Sequence, residues 1–138
     1  METVKSTSAR SLQYYAICKR WASDLEFFKI ETAFLHRLIN DHFVRLLEEA
    51  DATTLSATGV KLYELEKHEN KLNKMLEAQI RYLELMAEDI IPDDSESLSG
   101  TQIQLENLVG TVMYEYQAAK KEIFGFVEKL LISSKQSV

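Results

Sequence analysis

Three long stretches of the chain repeat apolar residues at alternating steps of three and four, and this heptad spacing constrains the fold more than any other feature. The first stretch has seam positions at Trp21, Leu25, Phe28, Thr32, Leu35, Ile39, His42 and Leu46. The second has them at Leu62, Leu65, Glu69, Leu72, Leu76, Gln79, Leu83, Met86 and Ile90. The third has them at Leu105, Val109, Val112, Tyr116, Ala119, Ile123, Phe126 and Leu130. Such spacing lines one stripe of an α-helix, whereas a β-strand alternates at every second residue. The pattern therefore predicts three amphipathic helices that pack along their seams, as in a coiled coil.

Turn and capping residues between the stretches predict the helix ends. Pro92 disfavours helical geometry in the residue before it, so the second helix is expected to end at residue 91. Ser99 with Gln102 can form a capping box, and Leu98 with Ile103 a hydrophobic staple, which predicts Ser99 as the N-cap of the third helix. The start of the second helix stays open among several plausible N-caps: Asp51, Thr53, Thr54, Ser56 and Thr58.

These boundaries predict an all-α, antiparallel up-down-up bundle of three long helices at about 8–49, 55–91 and 99–133, because short connections make successive helices antiparallel. The chain is interpreted as one domain over 1–138, with frayed tails at 1–7 and 134–138. Folding at the two connections places residue 36 beside 69 and 122, and residue 42 beside 63 and 128. We expect Trp21 and Phe28 to be buried near the end where the second helix stops.

Charge and cysteine content exclude some classes of function. The net charge of −6 disfavours nucleic acid and anionic lipid, both of which attract a basic surface. Cys18 is the only cysteine, which rules out an intrachain disulfide or a multi-thiolate zinc site. The first ten residues lack the apolar core of a signal peptide, and no apolar run approaches the ~18 residues of a membrane span. We therefore expect a cytoplasmic protein with neither nucleic-acid nor membrane partners.

No motif in the sequence indicates a reaction. The chain has no glycine-rich phosphate loop and no nucleophile elbow, and Cys18, at the border of the first seam, is interpreted as a small buried hydrophobe. We expect no cofactor and a non-enzymatic role.

Polar residues on the seams raise one alternative, a carboxylate and histidine metal site. The predicted register brings together His36, Glu69 and Glu122, and these ligand types suit a divalent metal. An ion-pair network that includes Arg37 explains the same residues without a metal. Ferritin-like and hemerythrin-like bundles bind metals in a comparable style, but the ferritin-like Glu-x-x-His motif does not occur in this chain. His42 is interpreted as a buried structural histidine near Tyr63 and Glu128.

A second apolar flank beside the first seam contains Phe27, Phe34 and Leu38. Helical spacing predicts a matching flank on the third helix, formed by Leu108, Thr111, Glu115, Ala118, Glu122 and Gly125. Two interpretations remain open: the flanks widen the contact between helices 1 and 3, or they form a subunit interface. We favour a homodimer, and hence an interaction or scaffold protein that acts through self-association or a partner protein's helices.

A tryptophan in the first helix, Trp21, and a second helix that reads LYELEKHENKLNKML over 62–76 together resemble a spectrin-type repeat. The resemblance covers about half the chain, and it implies a structural or partner-binding role.

Overall fold

The computed structural model describes residues 8–48 and 50–136, which form three α-helices and contain no β-strand. Helix α1 spans Ala9–Leu46, α2 spans Ala52–Ala87 and α3 spans Ser95–Gln136. None of the helices in the described part of the chain is both long and apolar enough to cross a membrane. The expected fraying of residues 1–7 lies outside the described residues, as do the last two positions, whereas α3 continues past the expected end at residue 133.

Contacts between the helices establish their directions. Thr32 of α1 bonds to Glu69 of α2, and His36, further along α1, meets Glu66, earlier in α2. Helix α3 also runs antiparallel to α2, since Gln79 bonds to Gln102 and His68 to Glu115. Each helix packs against the other two. The predicted all-α up-down-up bundle is confirmed.

Leucines from the three predicted seams dominate the core. The main cluster includes Leu25, Leu35, Leu65, Leu72 and Leu105, all nearly inaccessible to water. Burying each such side chain stabilises the fold by about 1.5–3 kcal/mol relative to leaving it exposed. A smaller cluster closes the end of the bundle where α1 meets α2, and it contains Leu46, Leu55, Phe126 and Leu130.

Aspartate and serine side chains cap the helices. Ser8 is the N-cap of α1 and accepts a 3.1 Å hydrogen bond from the backbone N–H of Ser11. Asp51, one of the N-caps that the sequence left open, accepts a 2.7 Å bond from the N–H of Thr54 at the start of α2. The pKa of Asp51 is lowered mainly because its carboxylate accepts this backbone hydrogen bond from Thr54.

Helix α2 ends four residues earlier than the predicted residue 91. Asp89 adopts a left-handed conformation with φ of 59°. Its N–H donates to the carbonyl of Met86 at 3.1 Å, and the N–H of Ile90 donates to Leu85 at 2.9 Å. These two bonds form a Schellman motif, which satisfies the carbonyls at the helix end before Pro92 is reached.

Helix α3 begins at Ser95, so the prediction that Ser99 is its N-cap is wrong. Asp94 provides a side-chain acceptor in the first turn, where its Oδ1 lies 3.3 Å from the N–H of Ser97. Ser99 lies within the helix, and its hydroxyl donates to the carbonyl of Glu96 at 2.8 Å. Gln102, the other half of the expected capping box, is buried in the core.

The two changed helix ends move the register of α3 against α2. Residue 69 was expected beside Glu122, but its neighbour His68 contacts Glu115, which precedes Glu122 by seven residues. Glu122 instead accepts a hydrogen bond from Thr58. The predicted neighbours of α1 along α3 are correct to within about one turn, since Glu31 contacts Tyr116.

His42 is exposed, so the prediction of a buried histidine on the seam is wrong. Its backbone has non-helical angles, φ −118° and ψ 16°, which kink α1 and turn this side chain out of the seam. Trp21 and Phe28 are half-buried against the main core, so their predicted burial is confirmed in part. Trp21 lies beside Ser99 and Gln102, near the start of α3 as expected, whereas Phe28 packs against Tyr116 nearer the middle of the bundle, so its predicted position is wrong.

Candidate functional site

A buried carboxylate occupies the middle of the bundle. Glu69 is 2% exposed, and its Oε2 accepts a 2.8 Å hydrogen bond from the hydroxyl of Thr32. Both residues were recognised in the sequence as polar interruptions of the seams. Burial raises the pKa of Glu69 to about 7, against the lowering effect of the Thr32 bond. Unlike most carboxyl groups, the Glu69 carboxyl therefore changes its protonation state near neutral pH.

Charged and polar pairs surround Glu69. His36 Nε2 lies 3.1 Å from Glu66 Oε1, and His68 Nδ1 lies 2.7 Å from Glu115 Oε1. The Tyr116 hydroxyl donates to Glu31 Oε1 at 3.0 Å, and burial with this neighbour raises the pKa of Tyr116 to about 12. We call the whole group the central polar layer; its members are Glu31, Thr32, His36, Glu66, His68, Glu69, Glu115 and Tyr116.

The structure does not bring together the three residues considered as metal ligands. His36 lies near Glu66, at 3.1 Å but without a hydrogen bond, and Glu69 bonds to Thr32. Glu122 bonds to Thr58 and, at 3.5 Å, to the Nζ of Lys61. Across residues 8–48 and 50–136, no group of three or more histidine, cysteine, aspartate or glutamate side chains is placed to hold a metal ion. The displacement of Glu122 follows from the changed register of α3 against α2.

A second polar layer lies nearer the turn between α2 and α3. Gln79 Nε2 donates to Gln102 Oε1 at 3.1 Å, and the thiol of Cys18 lies 3.6 Å from the same oxygen. Gln102 Nε2 is buried without a hydrogen-bond partner in the structure. Burial raises the pKa of Cys18, which keeps this thiol protonated and suits its interpretation as a small buried side chain.

The capping box with Ser99 did not predict that Gln102 is buried in the core, because a capping residue lies at a helix end. The signal was present in the seam itself. Extending the third seam backward from Leu105 by steps of three and four reaches Gln102 and then Leu98, and both are buried.

The apolar flank of α1 lies along its border with α3. Phe27 is 53% exposed and Phe34 39% exposed, whereas Leu38 is half-buried against the core. The Phe27 ring packs edge-on against Tyr116 of α3, with ring centroids 6.4 Å apart. The stripe therefore contacts α3 and also presents two aromatic side chains to water.

The flank of α3 that faces this stripe differs from the one expected. Glu115 and Glu122 contact α2, so the flank predicted from Leu108 to Gly125 lies on the α2 side. On the α1 side, Lys120 Nζ lies 5.7 Å from the centroid of the Tyr116 ring and 5.6 Å from that of Phe124, which is 43% exposed. Exposed Met113 lies seven residues before Lys120, on the same face of the helix. We call the combined surface the α1–α3 border, formed by Phe27, Phe34, Leu38, Met113 and Phe124.

Comparison with known proteins does not identify the chain. No family model, curated protein or solved structure matches it. The resemblance to spectrin-type repeats receives no support from these comparisons.

Proposed function

We propose that the protein is a non-enzymatic helical interaction module that forms a homodimer through the α1–α3 border. The observation that carries this proposal is the exposure of large apolar side chains on the neighbouring flanks of both helices. Phe27 and Phe34 on α1, and Met113 and Phe124 on α3, each leave more than a third of their surface in water.

Covering this border is favourable because apolar surface gains about 25 cal/mol for each Å² removed from water. Single exposed apolar residues are common on monomers, but a contiguous group is characteristic of association sites. The edge-to-face packing of Phe27 on Tyr116 holds one of these rings in place before a partner arrives. A partner therefore meets a partly preorganised surface, which lowers the entropic cost of binding.

The charges beside the border favour a second copy as the partner. Asp41 is exposed on the flank of α1, and Lys120 lies on the flank of α3 between Tyr116 and Phe124. A two-fold interface brings the same patch of both copies together, and with its axis parallel to the helices the acidic flank of one copy faces the basic flank of the other. The single buried free cysteine suits a reducing compartment, and we place the dimer in the cytoplasm.

Sedimentation velocity at tens of micromolar tests the proposal. The wild type is expected to sediment at twice the chain mass of 15.9 kDa. Phe34→Glu introduces a charge at the centre of the border and should weaken dimerisation roughly tenfold or more, because burying that charge opposes association. Its helix content, measured by circular dichroism, should remain unchanged.

Val60→Glu is the matched control, since Val60 is exposed on α2 away from the border. It introduces the same charge and should leave the dimer intact. A monomeric wild type would contradict the proposal, and so would a dimer that both substitutions leave unchanged. If Phe34→Glu unfolds the chain, the stripe belongs to the core of the monomer.

A further inference from the structure

We propose that the central polar layer is a proton-controlled latch: the middle of the bundle is closed while Glu69 holds a proton, and it opens locally when that proton leaves. The inference does not depend on dimerisation through the α1–α3 border. It rests on how the bundle surrounds one carboxyl group.

The geometry leaves an ionised Glu69 with little compensation. Its side chain is 2% exposed, its hydrogen bond comes from Thr32, and it forms no ion pair within the described residues. Leu65 and Leu72, the buried seam residues on either side of it in α2, provide no donor. A buried carboxylate with one neutral donor is unstable relative to its hydrated form, whereas the protonated acid loses much less on burial.

The charged groups around the layer come from all three helices. Lys29 of α1 favours the carboxylate, whereas Glu66 of α2 and Glu115 of α3 disfavour it. His68 is hydrogen-bonded to Glu115 and Tyr116 to Glu31, whereas His36 Nε2 lies 3.1 Å from Glu66 without forming a hydrogen bond. Burial outweighs these charges and sets the pKa of Glu69 at about 7, against an ordinary value of 4.5.

The sign of the pH effect follows from that difference. Because the folded pKa lies above the unfolded one, the contribution of Glu69 to stability is fully present below about pH 4.5 and is lost as pH rises through about 7. Above about pH 7 the protonation of Glu69 no longer changes the stability of the fold. The latch therefore responds across slightly acidic to neutral pH.

Opening should be confined to the middle of the molecule because separate contacts hold its ends. At one end, Asp93 Oδ2 accepts a 2.8 Å bond from the backbone N–H of Ser8, which ties the turn before α3 to the start of α1. At the other end, Leu46, Leu55, Phe126 and Leu130 form a hydrophobic cluster separate from the main core.

Hydrogen exchange with mass spectrometry at pH 6 and pH 8.5 tests the latch, with rates corrected for intrinsic exchange. Between pH 6 and pH 8.5, the protection of backbone amides in segments 28–36 and 65–73 should decrease in the wild type. This decrease should be roughly tenfold larger than the decrease in Glu69→Gln. Glutamine keeps an acceptor for Thr32 but carries no proton to lose. The ends of the bundle should show no such difference.

Glu64→Gln is the control, since Glu64 is exposed on the same helix and should retain the wild-type response. An identical pH response in the wild type and Glu69→Gln would overturn the proposal. If Glu69→Gln does not fold, the carbon-13 shift of the Glu69 carboxyl group in the wild type decides. A midpoint near pH 7 supports the latch, and a midpoint near pH 4.5 rejects it.

Discussion

Gln79 and Gln102 place two amide groups in a core that is otherwise mainly apolar. One amide satisfies part of the other, but Gln102 Nε2 is left without a partner. An unsatisfied buried donor costs about 1–3 kcal/mol. The pair therefore contributes specificity to the packing of α2 against α3 more than it contributes stability.

Replacing both glutamines tests this account. Gln102→Leu alone removes the main acceptor of Gln79, whose other bond is a 3.4 Å contact with the Leu98 carbonyl, so the single change should destabilise the fold by about 1–2 kcal/mol. Gln79→Leu with Gln102→Leu removes both amides and should be neutral or stabilising. Urea unfolding of the two single variants and the double variant measures the coupling; additive losses would show that the amides act independently.

Seam positions predicted the buried polar residues unevenly. Glu69, Thr32 and Gln79 interrupt the heptads, so their burial followed directly from the spacing. Gln102 lies on the same spacing but also fits a capping box, so the two patterns predict different surroundings for this residue. His42 shows the opposite error, because a regular repeat cannot reveal a kink in the backbone.

At the level of the helices, the apolar seam of each helix could be predicted from the sequence. The position of one seam along the next could not. A repeating heptad pattern matches a neighbouring seam in several registers, so the seams of α2 and α3 do not by themselves determine which residues lie opposite one another. The turn between the helices decides among these registers. Asp89 takes a left-handed conformation that is uncommon for a residue other than glycine, and no sequence signal specified it.

Asp93 stabilises the turn that sets this register. Its carboxylate accepts bonds from the N–H of Ser8 at 2.8 Å, the hydroxyl of Ser11 at 3.2 Å and the N–H of Ser95 at 3.3 Å. These bonds lower the pKa of Asp93, led by the backbone bond from Ser8. Their contribution is present above the ordinary value of 3.8 and is lost as pH falls through the lower folded value.

Asp93→Asn should therefore lower the free energy of unfolding at neutral pH by about 1 kcal/mol. The asparagine amide has one neutral acceptor oxygen and cannot accept all the bonds that the two charged oxygens of Asp93 accept. Ser99→Ala should have little effect, since Ser99 lies inside α3 and does not cap it. Thermal unfolding of both variants distinguishes the two positions. A larger loss from Ser99→Ala would restore Ser99 as the cap and contradict the observed start of α3.

In the described residues, separate contacts join the two ends of the bundle, the central polar layer lies between them, and apolar side chains of the α1–α3 border are exposed. The polar layer lies directly beneath that border, since Tyr116 contacts Phe27 and Phe28 through its ring and Glu31 through its hydroxyl. A second copy on the border would cover the aromatic side chains and also restrain the helices around the layer. Dimerisation should therefore oppose local opening of the bundle.

The distance between the two copies across the α1–α3 border tests the central claim of self-association most directly. Spin labels are attached in a Cys18→Ala background at exposed Arg37, one turn beyond Phe34. Pulsed dipolar spectroscopy then measures the distance between the labels of the two copies. A label at exposed Lys67 of α2 provides the reference position. The account predicts label separations within about 30 Å at Arg37, because packed helices lie only 8–10 Å apart, and longer separations at Lys67. The absence of any dipolar signal at Arg37, or a shorter separation at Lys67 than at Arg37, would contradict it.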